Sequence, residues 1–308
     1  MSIGQKLKII QGLKNLTQTQ LADILKVSFP TLNSWINDKS SPRAKKLKLI
    51  DQLYLKCSGQ KIIPEDNLSA KKQIILQKIK HSPSIIKTIK ERQDLFDQFI
   101  LSLTYNTNSI EGSTLTENET ADILFHNATF KNRDLIEHLE AKNHQSSLEY
   151  LFESVGLNYK ITEAFICELH HILMNSIRPD AGSYRVHGVR IVGANVPTAN
   201  HLKISVLMNK LILDINKKPK DVIAHVTTIH SKFEQIHPFS DGNGRIGRLI
   251  MTAMLLAANL PPAVIKKEKK HFYYKFLQKA QQNQDYGPLE DFICDAIFNG
   301  IGILAPLP

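Results

Sequence analysis

A segment of twelve residues, HPFSDGNGRIGR at 237–248, concentrates residue types that could do chemistry. Gly242 and Gly244, with Asn243 between them, allow the backbone to approach a ligand closely at the start of a predicted helix. Unpaired N–H groups and the helix dipole favour an anion at that position. The segment is therefore predicted to bind phosphate.

The charged side chains of the same segment suit attack by a hydroxyl on a nucleotide phosphate. Arg245 and Arg248 are three residues apart, so their guanidinium groups can hold a polyphosphate together. Asp241 can bind Mg²⁺ through oxygen while the phosphates complete the shell. His237 can accept the proton near neutral pH. Phe239 is interpreted as an apolar anchor for the loop.

The segment matches the Fic-domain motif HxFx[D/E]GNGRxxR at every defined position, and the chain resembles the Fic family from about residue 106 to residue 298. The resemblance implies an all-helical fold that transfers AMP from Mg·ATP to a Ser, Thr or Tyr hydroxyl of a protein and releases pyrophosphate. It implies that His237 is the general base and Asp241 the Mg²⁺ ligand. The residues implied to hold the ATP phosphates are Gly242, Asn243, Gly244, Arg245 and Arg248.

The resemblance has a second part in AGSYR at 181–185 and the residues that follow. Residues 184–200 contain β-branched residues interrupted by Gly188, Gly193 and Pro197, which predicts a short β-hairpin. In the Fic family such a flap covers the target segment. The residues expected to dock the target protein are Val189, Arg190, Ile191, Val192 and Gly193.

Residues 107–112, TNSIEG, match the family's inhibitory signature [S/T]xxxE[G/N] through Thr107, Glu111 and Gly112. Thr107 and Glu111 lie four residues apart, on one face of a helix. The resemblance implies that Glu111 pairs with Arg248 and disfavours the productive pose of ATP. In some relatives the same glutamate helps water to remove AMP, so the direction of the reaction stays open.

The first 61 residues hold eleven Lys and Arg residues and three Asp residues, and therefore carry most of the net charge of +10. Such local basicity is expected of a module that meets a polyanion. Residues 3–56 resemble the helix-turn-helix of the phage repressor and Cro family, although Lys26 stands where that family usually has glycine. Lys26 is therefore expected to adopt a left-handed conformation.

The helix-turn-helix predicts DNA binding by residues 1–57, as a homodimer on a two-fold site. The residues expected to contact DNA are Gln18, Ser28, Phe29, Thr31, Asn33, Ser34, Arg43 and Lys45. Lys46 and Lys48 are further candidates for phosphate contacts. The alternative is a helix-turn-helix used only for protein contacts.

The predicted fold class is all-α, with a small helix-turn-helix bundle followed by a Fic-type helical domain with a short β-hairpin flap. The predicted division is a DNA-binding domain at 1–57, a linker at 58–68, helices that include the inhibitory helix at 69–113, and a catalytic domain at 114–308. Apolar spacing predicts one continuous helix over 84–106. The paired histidines at 170–171 and at 225 and 230 are interpreted as core or boundary residues.

The sequence contains no apolar run long enough to span a bilayer and no apolar block typical of a secretory signal at its start, so a cytoplasmic location without a membrane partner is expected. A rival function is a transcriptional regulator that senses a nucleotide without transferring it. Transfer of another nucleotide, such as UMP, is a further alternative.

Overall fold

The computed structural model describes residues 1–58, 66–80, 82–190 and 196–304. Within these ranges the chain forms fifteen α-helices, two single turns of 3₁₀-helix and no strand. None of the described helices combines the length and apolar character that a membrane span requires. The chain divides into two compact units, the first made of residues 1–82 and the chain from Ile297 onward, the second of Pro83–Ala296.

The first unit begins with a bundle of four helices. Ser2 and Thr17 close capping boxes with Gln5 and Gln20, which fixes the starts of the first two helices. The helices of the amino-terminal part of this unit are α1 (Ile3–Lys14), α2 (Gln18–Leu25), α3 (Phe29–Ile36), α4 (Ala44–Ser58) and α5 (Asn67–Ile79). The side chains that fill its core are fully buried and include Leu7, Leu21, Leu25, Leu32 and Tyr54.

The turn between α2 and α3 has the backbone that the sequence predicted. Lys26 ends α2 with φ 51° and ψ 56°, in the left-handed region that glycine adopts more readily. The ammonium of Lys46 donates to the carbonyls of Leu25 at 2.5 Å and Lys26 at 3.2 Å. Lys46 therefore caps the end of α2, and its contact with a DNA phosphate stays a prediction.

The second unit is built around α13, whose side chains are buried along nearly its whole length. Helices α7, α9, α10 and α12 pack against it. The helices of this unit are α6 (Ile85–Glu91), α7 (Gln93–Glu111), α8 (Glu117–His126), α9 (Leu135–Ser154), α10 (Glu163–Leu173), α11 (Ile204–Ile215), α12 (Val222–Ile236), α13 (Asn243–Ala257), α14 (Lys270–Asn283) and the part of α15 (Gly287–Leu304) that precedes Ile297. The 3₁₀ turns are His201–Lys203 and Lys267–Lys269.

The prediction of a continuous helix over 84–106 was wrong. Arg92 has extended backbone angles, φ −118° and ψ 99°, and separates α6 from α7. Its carbonyl accepts the N–H groups of Leu95 and Phe96, and its guanidinium pairs with Asp94 in the first turn of α7. On both sides of the break the helices bury apolar residues, such as Ile89 of α6 and Phe99 of α7.

The predicted β-hairpin is absent from the described part of residues 184–200, whereas residues 191–195 lie outside it. The guanidinium of Arg185 donates to the carbonyls of His187 at 2.6 Å and Ala199 at 2.7 Å. The hydroxyl of Thr198 donates to the carbonyl of Val189 at 2.8 Å. Side-chain bonds thus join residues 184–190 to residues 196–200, and between these two described stretches no backbone hydrogen bonds form.

Candidate functional site

A cavity of about 1120 Å³ lies at the start of α13. It is lined by the loop from His237 to Gly244, by Glu111 at the end of α7, and by α14, including Tyr274. Ligand pockets for small molecules and cofactors usually have volumes of about 300–1,000 Å³. The cavity is therefore large enough for a nucleotide, and most of the motif residues border it.

His237 follows the last residue of α12 and adopts a left-handed conformation, with φ 52° and ψ 62°. Its Nδ1 lies 3.2 Å from the carbonyl of Glu234, and since a carbonyl only accepts, Nδ1 carries the proton. The lone pair is therefore on Nε2. Burial lowers the pKa of His237 below its usual value, so the imidazole is neutral near pH 7. The side chain is prepared to accept a proton.

Arg185 fixes the backbone at this histidine and directly after it. Its Nε donates to the carbonyl of His237 at 2.7 Å, and its own N–H donates to the carbonyl of Pro238 at 3.0 Å. The arginine is 3% exposed, and burial lowers its pKa. Arg185 lies in the AGSYR segment, which was one part of the resemblance seen in the sequence. No role was predicted for this residue.

Phe239 is fully buried, as expected for an anchor, and two side chains hold its loop. The Phe239 N–H donates to Oδ1 of Asn243 at 2.9 Å, and Nδ2 of Asn243 donates back to the Phe239 carbonyl at 2.8 Å. His170 of α10 stacks on the ring of Phe239 and donates from Nε2 to the Asp241 carbonyl. The Asn243 side chain therefore binds the loop, which leaves its backbone N–H for a ligand.

The two motif glycines meet different constraints. Gly242 has φ 75°, and a Cβ there would lie 3.0 Å from the sulfur of Met174. A Cβ at Gly244 would collide with the carboxylate of Glu111. The N–H groups of Asn243, Gly244 and Arg245, at the start of α13, have no acceptor within the helix, and no side chain caps this end. They are free to bind an anion.

Asp241 is the acidic residue of the motif loop that borders the cavity. Its side chain is 56% exposed and accepts the Gly242 N–H at 2.6 Å. No group of three or more metal-binding side chains occurs among the described residues. A magnesium ion here fits one protein carboxylate and phosphate oxygens, the coordination that Mg²⁺ prefers at nucleotide sites.

The two motif arginines are both buried and both paired with glutamates. Arg245 Nη1 donates to Glu140 of α9 at 2.7 Å, and its Nη2 lies 3.8 Å from Asp241. Arg248 Nη2 donates to Oε1 of Glu111 at 2.5 Å, and its Nε donates to the Thr107 hydroxyl at 3.3 Å. The structure thus brings Thr107 and Glu111 against Arg248, while neither guanidinium borders the cavity.

Gly112, the last residue of the predicted inhibitory signature, ends α7 in the left-handed region with φ 118°. Its N–H donates to the carbonyls of Asn108 and Ser109. Glycine is suited to this C-terminal position because it has no Cβ. The end of α7 is therefore fixed directly beside Glu111.

The residues predicted to contact DNA lie in three different situations. Gln18 is in the first turn of α2 and is half-buried. Some of the other side chains bond locally, since Ser28 bonds Thr31, Asn33 accepts from Asn37, and Ser34 bonds Ser40. The exposed members without a described role in the fold are Phe29, Arg43 and Lys45.

Two family models match the chain. Residues 160–255 match the Fic/DOC family, and residues 8–56 match a helix-turn-helix model. The chain carries a Fic/DOC domain behind a helix-turn-helix domain. The second of these suggests DNA binding.

The Fic/DOC domain is distantly similar to curated adenylyltransferases. The chain is 33% identical over 196 residues to the protein adenylyltransferase Fic of Aedes aegypti, and 32% identical over 195 residues to that of Drosophila ananassae. Each match covers 62% of this chain and 39% of the relative. The chain thus matches about two fifths of the length of these relatives.

Solved structures share the helical fold. A Fic-domain-containing signaling protein from Bacteroides thetaiotaomicron superposes with a TM-score of 0.64 at 24% identity, over 75% of this chain and 95% of that one. Fic-1 from C. elegans superposes with a TM-score of 0.61 at 21% identity, over 84% of this chain and 82% of that one.

Four residues without a predicted functional role contact residues of the Fic motif. They are Glu140, His170, Arg185 and Glu234. Glu234 carried a weak signal, because it lies only three residues before His237. Glu140 carried no signal in the sequence, since it lies 105 residues before Arg245, its partner in the structure.

The predicted flap is only partly described. Arg190 borders the cavity, and Val189 is bonded through its carbonyl to Thr198. Ile191, Val192 and Gly193 lie outside the described residues. Docking of a target by this segment stays a prediction.

Proposed function

We propose that the Fic/DOC domain of this chain is a protein adenylyltransferase that transfers AMP from Mg·ATP to a Ser, Thr or Tyr hydroxyl of a target protein. The observation that carries the proposal is the hydrogen bond from Nδ1 of His237 to the Glu234 carbonyl. It leaves Nε2 of a neutral imidazole as a base beside the unpaired N–H groups of α13. A base next to an anion site is what hydroxyl attack on a phosphate requires.

In the proposed reaction, the acceptor hydroxyl oxygen bonds to the α-phosphorus of ATP, and its proton passes to Nε2 of His237. The bond between the α-phosphorus and the oxygen that bridges to the β-phosphate breaks, and pyrophosphate leaves with that electron pair. The first turn of α13 would hold the phosphates. Asp241 would hold Mg²⁺, which would offset the negative charge on the phosphates.

We further propose that Glu111 restrains the transfer. Its carboxylate pairs with Arg248 and lies over Gly244, where the phosphates would approach the start of α13. A triphosphate that requires Arg248 must first displace this carboxylate. The wild-type chain is therefore expected to be nearly silent, and Glu111→Gly is expected to release it.

Label incorporation in a cell lysate tests both proposals. With α-³²P-ATP we expect strong labelling of protein by Glu111→Gly, weak labelling by wild type, and none by Glu111→Gly/His237→Ala. Glu111→Gly/His126→Ala, which changes an exposed histidine at the end of α8, is the matched control and should label normally. Labelling from γ-³²P-ATP would contradict AMP transfer. Equal labelling by wild type and Glu111→Gly would contradict the restraint.

Removal of AMP from a modified protein is a second candidate, favoured by the position of Glu111 on the same cavity as His237. A carboxylate there suits the orientation of a water molecule for attack on the phosphate. A target labelled by Glu111→Gly is the substrate for this test. Loss of its label upon addition of wild type, but not of Glu111→Gln, would support removal.

We also propose that residues 1–57 bind DNA as a homodimer. Phe29 is 47% exposed at the start of α3; Arg43, directly before α4, and Lys45, in its first turn, are also exposed. Affinity for selected DNA should fall steeply with salt, and Arg43→Ala or Lys45→Ala should each reduce the slope by about one. Lys87→Ala, which changes an exposed lysine outside this region, is the control. A salt-independent affinity would contradict the proposal.

If wild type and Glu111→Gly bind ATP but no form labels protein, the nucleotide-sensing regulator becomes the better explanation. The measurement of ATP binding should include UTP, CTP and GTP as competitors. If one of these nucleotides displaces bound ATP at a lower concentration than added ATP does, transfer of that nucleotide becomes the better explanation.

A further inference from the structure

Glu234 is a buried carboxyl group that the proposed reaction does not use. It lies in the last turn of α12, is 6% exposed, and borders the same cavity as Glu111 and His237. Its backbone carbonyl orients His237, but its Oε1 has no hydrogen-bond partner. A buried polar atom without a partner is costly, so its persistence requires an explanation.

The unpaired oxygen lies against the turn of α13 that carries Arg248. A Cβ at Gly247, the preceding residue, would lie only 2.5 Å from Oε1 of Glu234. Arg248 has a matching deficiency, because its Nη1 is buried and has no partner while Glu111 occupies Nη2. Two unsatisfied groups of complementary chemistry are thus present in one buried cluster.

While Glu111 is in place, burial and the charges around Glu234 keep its carboxyl group protonated, so that it does not compete with Glu111 for Arg248. Burial raises the pKa of Glu234 to about 8; the Arg248 guanidinium opposes this shift and the Glu111 carboxylate adds to it. From α14, Tyr273 and Tyr274 lie in the same cluster, and burial raises the pKa of both phenols. Glu234 is therefore largely a neutral acid near pH 7.

The other charged groups around α12 are engaged elsewhere. On the side of α11, Asp214 pairs with Lys232 at an exposed position. Within α12, His230 is buried and neutral, because its Nδ1 donates to the Gly247 carbonyl and its Nε2 accepts from the Tyr273 hydroxyl. Glu111 and Arg248 are thus the charges that decide the state of Glu234.

From this arrangement, and resting on the proposed function, we propose that Glu234 is a second carboxylate partner of Arg248, which takes the guanidinium when Glu111 leaves it. Removal of Glu111 would otherwise leave a guanidinium that is 5% exposed without a carboxylate. An unpaired buried charge is strongly destabilising. Loss of Glu111 also removes the charge that disfavours ionisation of Glu234, so Glu234 can lose its proton and pair with Arg248.

The consequence is that ATP meets two successive competitors for Arg248. In the presence of Glu111, replacement of the neutral Glu234 removes no negative charge from the surroundings of Arg248. It should therefore change the affinity for ATP little. After Glu111 has gone, Glu234 should weaken the hold of Arg248 on the triphosphate. Glu234 would then set the affinity of the released enzyme for ATP, as a positioning residue that acts through Arg248.

A double-mutant cycle on the full chain tests the proposal. The four proteins are wild type, Glu111→Gly, Glu234→Gln and Glu111→Gly/Glu234→Gln, each titrated calorimetrically with Mg²⁺ and a non-hydrolysable ATP analogue. We expect Glu234→Gln to change the affinity less than about twofold with Glu111 present and to tighten it about five- to tenfold without Glu111, because coupled pairs are not additive. Equal effects in both backgrounds would overturn the proposal. Glu153→Gln, at an exposed position on α9, should leave the affinity for the analogue unchanged in both backgrounds.

A carbon-detected NMR titration of glutamate carboxyl groups provides a test that is independent of ATP. In Glu111→Gly the pKa of Glu234 should fall by about one unit or more relative to wild type, and Arg248→Gln in the same background should reverse the fall. An unmoved pKa would overturn the proposal even if ATP binding follows the proposed function. Absence of analogue binding in every variant would contradict the proposed function alone, and the titration would then decide the role of Glu234.

Discussion

The imidazole of His170 lies flat on the ring of Phe239, with 3.7 Å between the ring centroids and 7° between the planes. The Gly182 N–H donates to its Nδ1 at 2.8 Å, and its Nε2 donates to the Asp241 carbonyl at 3.1 Å. The bond from Gly182 requires the neutral ring, because a protonated Nδ1 cannot accept a hydrogen bond. His170 thus joins α10 to the loop that carries the candidate metal ligand.

We expect this histidine to make the folded chain sensitive to acid. Burial lowers the pKa of His170 to about 4, whereas an exposed histidine titrates near 6.5. The unfolded chain therefore binds the proton first, and stability is lost as the pH falls from about 6.5 towards 4. Urea denaturation at several pH values should show a smaller loss for His170→Gln than for wild type. An identical pH dependence in both would contradict this assignment.

The pH dependence of transfer should report the neutral His237. Because burial lowers the pKa of His237, the base stays unprotonated below the usual range of a histidine. For Glu111→Gly, kcat/KM should therefore fall only below about pH 6.5, and His237→Asn should reduce the rate about a hundredfold or more. An acidic limb well above pH 6.5 would show that another group is the base.

Gly247 should be intolerant of a side chain. A Cβ there would lie 2.5 Å from Oε1 of Glu234, 3.2 Å from Cε1 of His230 and 3.2 Å from the ring of Phe233, all of which are buried. Gly247→Ala should lower the free energy of unfolding by about 1–3 kcal/mol through overpacking. Gly302→Ala is the matched helical control, because a Cβ there meets nothing within 4 Å. Equal melting temperatures for both variants would refute the steric argument.

The turn of the helix-turn-helix should become more stable when glycine replaces Lys26. Lys26 has φ 51° and an exposed side chain, so Lys26→Gly relieves backbone strain without removing packing. We expect a gain of about 0.5–1 kcal/mol in denaturant unfolding of the first unit. Lys8→Gly, in the middle of α1 at an exposed position, should instead cost about 1 kcal/mol. A loss of stability in Lys26→Gly would contradict the strain.

Local signals made much of the helical framework and the motif predictable. The start of α2 follows from Thr17 and Gln20, and the left-handed Lys26 follows from the position of glycine in related turns. The glycines and Asp241 of the motif border one cavity because a single loop and helix start carry them. Such features depend on residues within a few positions of one another, where the backbone geometry is nearly fixed by sequence.

Other features depended on packing that no local pattern records. Arg92 separates α6 from α7, and both helices bury apolar residues. In the described residues on either side of 191–195, bonds from the side chains of Arg185 and Thr198 stand where a hairpin ladder was expected. The sequence suggested two arginines open to phosphate. The tertiary structure buries both and pairs each with a glutamate.

The sequence by itself determined which residue types are available at the candidate site: a histidine base, a carboxylate, a glycine-rich helix start and two arginines. The tertiary structure decided their states, because burial and neighbours from distant helices set which proton each group holds. Glu140 and Glu111 reach α13 from α9 and α7, across 105 and 137 residues, and His170 reaches its loop from α10. Desolvation and pairing act through space, so they appear only when the helices have packed.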